Sequence, residues 1–314
     1  MKMKKLVAVM VMVALMLMAV GCTEKVAEPQ KKVVIAEQFG LAYAPLQIMK
    51  ENGYLDKALP GYEIEWVKLG NTAAIREAIL ADALDVGFLG IPPFLIGYDN
   101  GMEWGIFTGL SSAPLGLVSN NPAIQTLEDI GRTDRIALPQ PGSIQHILLS
   151  MAAEKTFGQA DYFDKQLVTM KHPDGMNALL AGGDISLHYT SPPFLFEELK
   201  EEELSLVVDG NQCFGGDFTF IVGMTTKDFK EDQVAYDALV KAVEEAVQFM
   251  NENPDETVEL LSNYYDYDKD VLKNYVYEQN IRYTTDVSGV ETFVEFMINN
   301  DLLKESIEVD DVLW

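Results

Sequence analysis

From Val33 onward, short runs of β-branched residues alternate with stretches whose apolar positions recur every three or four residues. That pattern predicts strands spaced by helices, and so a largely parallel α/β sheet. Strands are predicted over Val33–Ala36, Tyr62–Val67 and Asp85–Leu89. Helices are predicted over Pro45–Glu51, over Thr72–Ala83 and from Pro92-Pro93 onward. Proline at a first-turn position opens the first of these and Asn52-Gly53 closes it. The pattern then starts over. Strands over Arg135–Leu138, Gln166–Lys171 and Asp184–Tyr189 alternate with helices over Ile144–Thr156 and Asp174–Leu180, and a third helix starts at Pro192-Pro193 and runs into the acidic stretch Glu197–Glu203. The C-terminal third reads as helical, over Asp237–Asn251, Asp255–Tyr264, Asp270–Glu278 and Val290–Asn299. In the first of these, Leu239, Val240, Val243, Val247 and Met250 fall at core-facing spacing.

A short internal repeat ties the halves together. Ala78-Ile79-Leu80-Ala81-Asp82-Ala83-Leu84-Asp85 leads through a strand to Pro92-Pro93-Phe94-Leu95. Ala178-Leu179-Leu180-Ala181-Gly182-Gly183-Asp184 leads through a strand to Pro192-Pro193-Phe194-Leu195. The reading that follows is two lobes of like architecture, each supplying the same corner.

The N-terminus bears on compartment. Lys2, Lys4 and Lys5 precede an apolar run from Leu6 to Val20. That run is shorter than the ~20 apolar residues a spanning helix needs and suits a signal peptide. It ends at Ala19-Val20-Gly21-Cys22, which resembles a bacterial lipobox with Ala19 in place of the usual leucine. The expectation is a leader over residues 1–21, lipidation of Cys22 and a polar tether over 22–32. What remains is long for one domain and natural for two. With Cys22 lipidated, Cys213 has no disulfide partner, so the core alone holds the fold. Charge excludes partners: 23 Lys and Arg stand against 49 Asp and Glu, a net charge of −26 that deepens when the leader's lysines go. Such a surface repels nucleic acid and anionic headgroups.

Three helix starts in each half carry the candidate chemistry: Gln38–Pro45, Gly70–Ala73 and Gly90–Pro93, then Gln140–Gln145, Pro173–Met176 and Thr190–Pro193. Each follows a predicted strand, at the carboxyl edge where open α/β sheets bind ligands. Helix N-termini expose unpaired N–H groups and partial positive charge, so they hold anions or polar oxygens without a side-chain cation. No Arg or Lys falls within the six segments. A sulfonate would rest on N–H groups and hydroxyls, and a neutral or heteroaromatic ligand fits the same pattern. His188 shares a strand face with Ser186, opposite Ile185, Leu187 and Tyr189. It reads either as a satisfied core or surface histidine or as a donor at the strand's end. His146 and His172 are expected to be solvated, and the three histidines lack the spacing of a zinc site. The chain has no Gly-x-Ser-x-Gly elbow, His-Glu-x-x-His helix or Walker loop. Neither catalysis, a cofactor nor a metal is expected.

Longer segments carry a family likeness. They are Gln38-Phe39-Gly40-Leu41-Ala42-Tyr43-Ala44-Pro45, Lys50-Glu51-Asn52-Gly53-Tyr54-Leu55, Gly70-Asn71-Thr72 and Asp85-Val86-Gly87-Phe88-Leu89-Gly90. Later come Gly289-Val290 with Phe293, and Asp310-Asp311-Val312-Leu313-Trp314. In this order and spacing they resemble the nitrate/sulfonate/taurine-type substrate-binding proteins of ABC importers, from about Val33 to the end.

The resemblance implies a type II periplasmic-binding fold: two Rossmann-like α/β lobes, a hinge crossed twice by the chain, and a helical C-terminal segment packed on lobe 1. It places lobe 1 at 33–117 plus 220–314 and lobe 2 at 118–219, with crossings near Leu115–Asn120 and Gly215–Val222. It implies ligand contacts from Gln38, Tyr43, Ala44, Asn71, Thr72 and Gly90, and from Ile91, Ser111, Ser143, His188, Thr190 and Ser191. The implied protein is a monomer, lipid-anchored to the bacterial cell membrane on its extracytoplasmic side. It would hand sulfonate, taurine or nitrate to permease and ATPase subunits; a thiamine-pyrimidine precursor or an aromatic carboxylate is the alternative ligand. A surface lipoprotein without a transport role would instead show exposed repeats or a large apolar patch, and no repeat array appears. The pyrimidine-synthesising enzymes related to this fold carry a cysteine-rich motif that this chain lacks.

Overall fold

The computed structural model describes residues 31–314. The leader, Cys22 and the tether up to residue 30 lie outside the described residues, and at Lys31 the chain is already strand. β1 (Lys31–Glu37), β2 (Tyr62–Lys68), β3 (Val86–Gly90) and β4 (Trp104–Ser112) belong to one sheet. β5 (Gly116–Ser119), β6 (Ile136–Leu138), β7 (Leu167–Thr169), β8 (Leu187–Thr190) and β9 (Ser205–Asp209) form a second. β10 (Ile221–Thr226) and β11 (Arg282–Tyr283) return to the first.

The strand orders are β11-β4-β10-β3-β1-β2 and β7-β6-β8-β5-β9. β1 runs parallel to β3, and β6 runs parallel to β7 and β8. β10 is antiparallel to β3 and β4, as β5 is to β8 and β9. Strand for strand, β2-β1-β3-β10-β4 of one sheet matches β7-β6-β8-β5-β9 of the other. The two sheets thus define two α/β lobes. The repeat falls at matching places, with helix Thr72–Leu80 before β3 and helix His172–Leu180 before β8. Past the strand the corners differ. Pro92-Pro93 lies in the first turn of helix Ile91–Asp99, whereas Pro192-Pro193, joined by a cis bond, precedes helix Phe194–Glu198.

Burial accounts for these elements. All five residues of β3 are buried, as expected of a central strand covered on both faces. In helix Gln233–Glu252, Ala235, Leu239, Ala242, Val243, Ala246 and Met250 bury one face, and Asp232 Oδ1 accepts the Ala235 N–H at 3.3 Å to start it. That helix packs on helices Ala44–Glu51 and Tyr54–Ala58, which places the helical C-terminal segment on lobe 1. The last residue is pinned there too: the Trp314 N–H donates to the Ile106 carbonyl at 2.8 Å.

The chain passes between the sheets twice. The first crossing is Ala113–Leu115, earlier and shorter than Leu115–Asn120, because Gly116–Ser119 already pairs on both edges as β5. The expected lobe boundary at 117/118 therefore falls inside a strand. The second crossing joins helix Gly210–Phe214 to β10. Hydrogen bonds tie the two together: Ser112 Oγ donates to the Phe218 carbonyl at 2.7 Å, and the Phe220 N–H to the Ser111 carbonyl at 2.9 Å.

Candidate ligand-binding site

Residues at or just past the ends of β1, β3, β6 and β8 line one cavity between the lobes: Gln38 and Phe39, Gly90, Pro139, and Ser191. Tyr43, Gly70, Thr72 and Pro93 complete the lobe 1 wall, and Ser143, Ile144, Gln145 and His172 the lobe 2 wall. Phe220 and Ile221 close the hinge side. The cavity offers about 30 Å³ of space for water centres. One water needs ~10–15 Å³ by that measure, so the space suits a group of few heavy atoms.

Among the described residues, no lining side chain is a carboxylate, lysine or arginine. Its polarity comes instead from helices that begin at its wall: Thr72–Leu80, Ile91–Asp99, Ile144–Phe157 and His172–Leu180. Some of their end groups are already used. Asn71 Oδ1 accepts the Ala74 N–H at 3.0 Å, and Ser143 Oγ accepts the His146 N–H at 3.3 Å. Gln38 Nε2 donates to the Phe88 carbonyl at 3.2 Å, which fixes its side chain beside Thr72. Two bonds cross the cleft. The Ala73 N–H donates to Gln140 Oε1 at 2.9 Å, and the Leu41 N–H to the Pro192 carbonyl at 3.1 Å.

Of the expected contacts, Gln38, Tyr43, Thr72, Gly90, Ser143 and Ser191 line the cavity. Ala44, Asn71, Ile91, Ser111, His188 and Thr190 do not. Asn71 is spent as a cap, Ala44 and Ile91 point into the core, and Ser111 Oγ donates to the Ala42 carbonyl at 3.0 Å with no exposure. His188 and Thr190 are both 0% exposed. His188 bonds Glu198 Oε1 at 2.5 Å and His172 at 3.2 Å, while Thr190 Oγ1 lies 3.3 Å from His172.

The other two histidines are buried, against the expectation of solvation. His146 Nδ1 accepts the Gly142 N–H at 2.9 Å and its Nε2 meets Asp164 at 3.0 Å. His172 lines the cavity and is the site residue that sequence reasoning missed most clearly. Its neighbours Lys171, Pro173 and Asp174 are polar or helix-opening, which signals a surface; only the tertiary packing of β8 behind it buries the ring. Burial favours the neutral forms here. It pushes His188 down to about 3, His172 well below its ordinary range, and Glu198 up to about 9. The close His188–Glu198 contact could be read as an ion pair, but these directions put one proton on the acid.

This architecture, with two α/β lobes meeting over a polar cavity at their strand ends, is that of the two-lobed periplasmic binding proteins. The chain belongs to the NMT1-like family, whose pattern matches residues 26–262. It is 25% identical to a Bacillus subtilis protein named for binding aliphatic sulfonates, over 96% of this chain and 93% of that one. Its fold is similar to that of the alkanesulfonate-binding protein of Xanthomonas axonopodis pv. citri bound to MOPS, with a TM-score of 0.74 at 17% identity, covering 92% of this chain and 99% of that one. It is also similar to the periplasmic nitrate-binding protein of Synechocystis PCC 6803, with a TM-score of 0.71 at 16% identity, covering 91% and 86%.

Proposed function

We propose that this protein is the extracytoplasmic solute-binding component of an ABC importer and that it holds a small oxyanion of the sulfonate or nitrate type between its lobes. The observation that carries this reading is the cavity: compact, without a charged side chain on its wall, and faced by helix N-termini from both lobes. Backbone N–H groups, hydroxyls and His172 can donate to an oxyanion there, and the Lys171 side chain packs against the lining Gly70 at its edge. Phe39, Tyr43 and Phe220 supply apolar wall for a short organic tail. The same aromatic wall would serve a pyrimidine or an aromatic carboxylate, but about 30 Å³ favours the smaller head. The names of the similar Bacillus, Xanthomonas and Synechocystis proteins point the same way.

The role is capture and release rather than catalysis. Ligand that touches both lobes shifts the population toward the closed form, which permease and ATPase subunits then receive. In this reading the residues before Ala113 and after Phe220 move as one body and the segment between them as the other. The protein acts as a monomer, and Cys22, lipidated after loss of residues 1–21, holds the acidic body at the outer face of the bacterial membrane.

Thermal denaturation with ethanesulfonate, taurine, nitrate, benzoate and an aminopyrimidine tests this. Saturation at a hundred times Kd adds ~2.7 kcal/mol, or roughly 4–5 °C for a chain of this size. A shift with ethanesulfonate or nitrate is expected. A shift confined to the aminopyrimidine would overturn the oxyanion reading.

A further inference from the structure

A line of side chains runs from the cavity into the interior of lobe 2. His172 Nε2 lies 3.2 Å from Gln145 Nε2 and 3.5 Å from Ser191 Oγ at the cavity wall. His172 Nδ1 lies 3.2 Å from His188 Nε2, and His188 Nδ1 lies 2.5 Å from Glu198 Oε1. The side chains of His188 and Glu198 are both 0% exposed, and Glu198 Oε2 has no hydrogen-bond partner. Gly175 leaves room for this arrangement; a Cβ there would lie 2.6 Å from His188 Nε2.

Each ring nitrogen in the line must donate or accept, so its proton order is set at the buried end. If Glu198 were ionised, His188 Nδ1–H would donate to it and His172 Nδ1–H to His188. His172 Nε2 would then be an acceptor. If Glu198 is protonated, its O–H donates to His188 Nδ1, His188 Nε2–H donates to His172 Nδ1, and His172 Nε2–H faces the cavity. The second order wins on burial. An ionised carboxylate with one oxygen unpartnered, and with no Lys or Arg paired to it among the described residues, costs far more in the interior than the neutral acid. The Thr190 hydroxyl, 3.3 Å from His172 Nδ1, can donate to the same acceptor. An N–H on His172 Nε2 requires Gln145 to turn its amide, so that its oxygen holds that N–H until a ligand oxygen at the cavity wall takes its place.

We propose that Glu198, acting through His188, fixes His172 as a hydrogen-bond donor to the cavity, so that the site selects ligand oxygen acceptors. Glu198 is a positioning residue and never touches the ligand. The selection rests on the oxyanion reading above; the proton order does not.

The test is ¹⁵N NMR of the histidine rings in the whole protein at pH 7, free and with ethanesulfonate as the probe, paired with titration calorimetry. The Nε2–H tautomer is expected on both His172 and His188. Glu198→Gln keeps an N–H donor toward His188 Nδ1 and should retain both tautomers and bind ethanesulfonate within about threefold of wild type. Glu198→Leu removes the donor; it should give mixed tautomers and bind about tenfold more weakly, the loss of roughly one hydrogen bond. An Nδ1–H tautomer on His172 of the wild type overturns the proposal, and this spectrum decides even if the leucine variant does not fold. Unchanged tautomers in a folded Glu198→Leu protein overturn it equally. Nε2–H tautomers in a wild type that binds no ethanesulfonate would support the proton order and sink the sulfonate reading instead.

Discussion

Glu198 and His188 leave a signature in stability as well as in binding. Burial raises the Glu198 carboxyl to about 9 from an ordinary 4.5, so the folded chain holds a proton there that the unfolded chain releases. Its contribution is fully present below about 4.5 and is lost as pH rises through about 9. His188, lowered to about 3 from 6.5, acts in the opposite sense between those values. Between pH 6.5 and 9 the Glu198 effect therefore acts unopposed by His188, and stability should fall across that window. Chemical denaturation at stepped pH should show this decline in the wild type and a flatter profile in Glu198→Gln. An equal slope in both proteins would place the proton elsewhere. His188 itself shows the limit of alternation along a strand: it sets His188 opposite Leu187 and Tyr189, but cannot show that the ring meets a second histidine and a buried acid.

At the scale of elements, the loop between β1 and helix Ala44–Glu51 matters most for closure. Gly40 sits at φ +121°, and a Cβ there would lie 2.8 Å from the Pro192 carbonyl of the other lobe. Only glycine combines that backbone with so close an approach. Gly40→Ala should weaken ligand binding by about tenfold, since the clash with the Pro192 carbonyl falls on the closed form and overpacking of this kind costs ~1–3 kcal/mol, while the strained backbone lowers stability in both forms. Gly61→Ala is the control, with φ +97° but nothing within 4 Å of the added carbon; it should lose stability and keep affinity. Calorimetric titration separates the two, and equal losses of affinity would remove Gly40 from the closure. The alternating elements around this loop were legible, because β1, β3 and helix Thr72–Leu80 carry clean periods and caps. β4 and β10 were not. Gly105 and Gly109 interrupt β4 and Gly223 interrupts β10, where an added Cβ would lie 2.7 Å from Phe88 and Thr108. Close sheet packing demands those glycines, and they erase the apolar pattern that marks a strand. The cavity followed this division only in part: Gln38 and Gly90, at the ends of readable strands, were found and Phe220 beside β10 was not, but His172 was missed although it directly follows a predicted strand.

For the molecule as a whole, the site exists only where the lobes meet. Neither wall alone encloses the cavity, and the lobes are joined across it by Leu41 to Pro192, by Ala73 to Gln140 and, further out, by Tyr275 Oη donating to Glu197 at 2.7 Å. Phe196 and Tyr275 also pack ring on ring at 5.0 Å, and a ligand bonded to both sides would add to these contacts and so shift the balance between open and closed forms. A surface with a net charge of −26 gives the ligand no general attraction, which leaves affinity to the enclosed donors. The most direct measurement is a crystal structure grown with whichever compound of the thermal panel binds most tightly. The ligand should lie between the lobes, its oxygens within about 2.7–3.2 Å of donors from both, His172 Nε2 among them. A ligand seated elsewhere, or bonded to residues of one lobe only, would contradict the account.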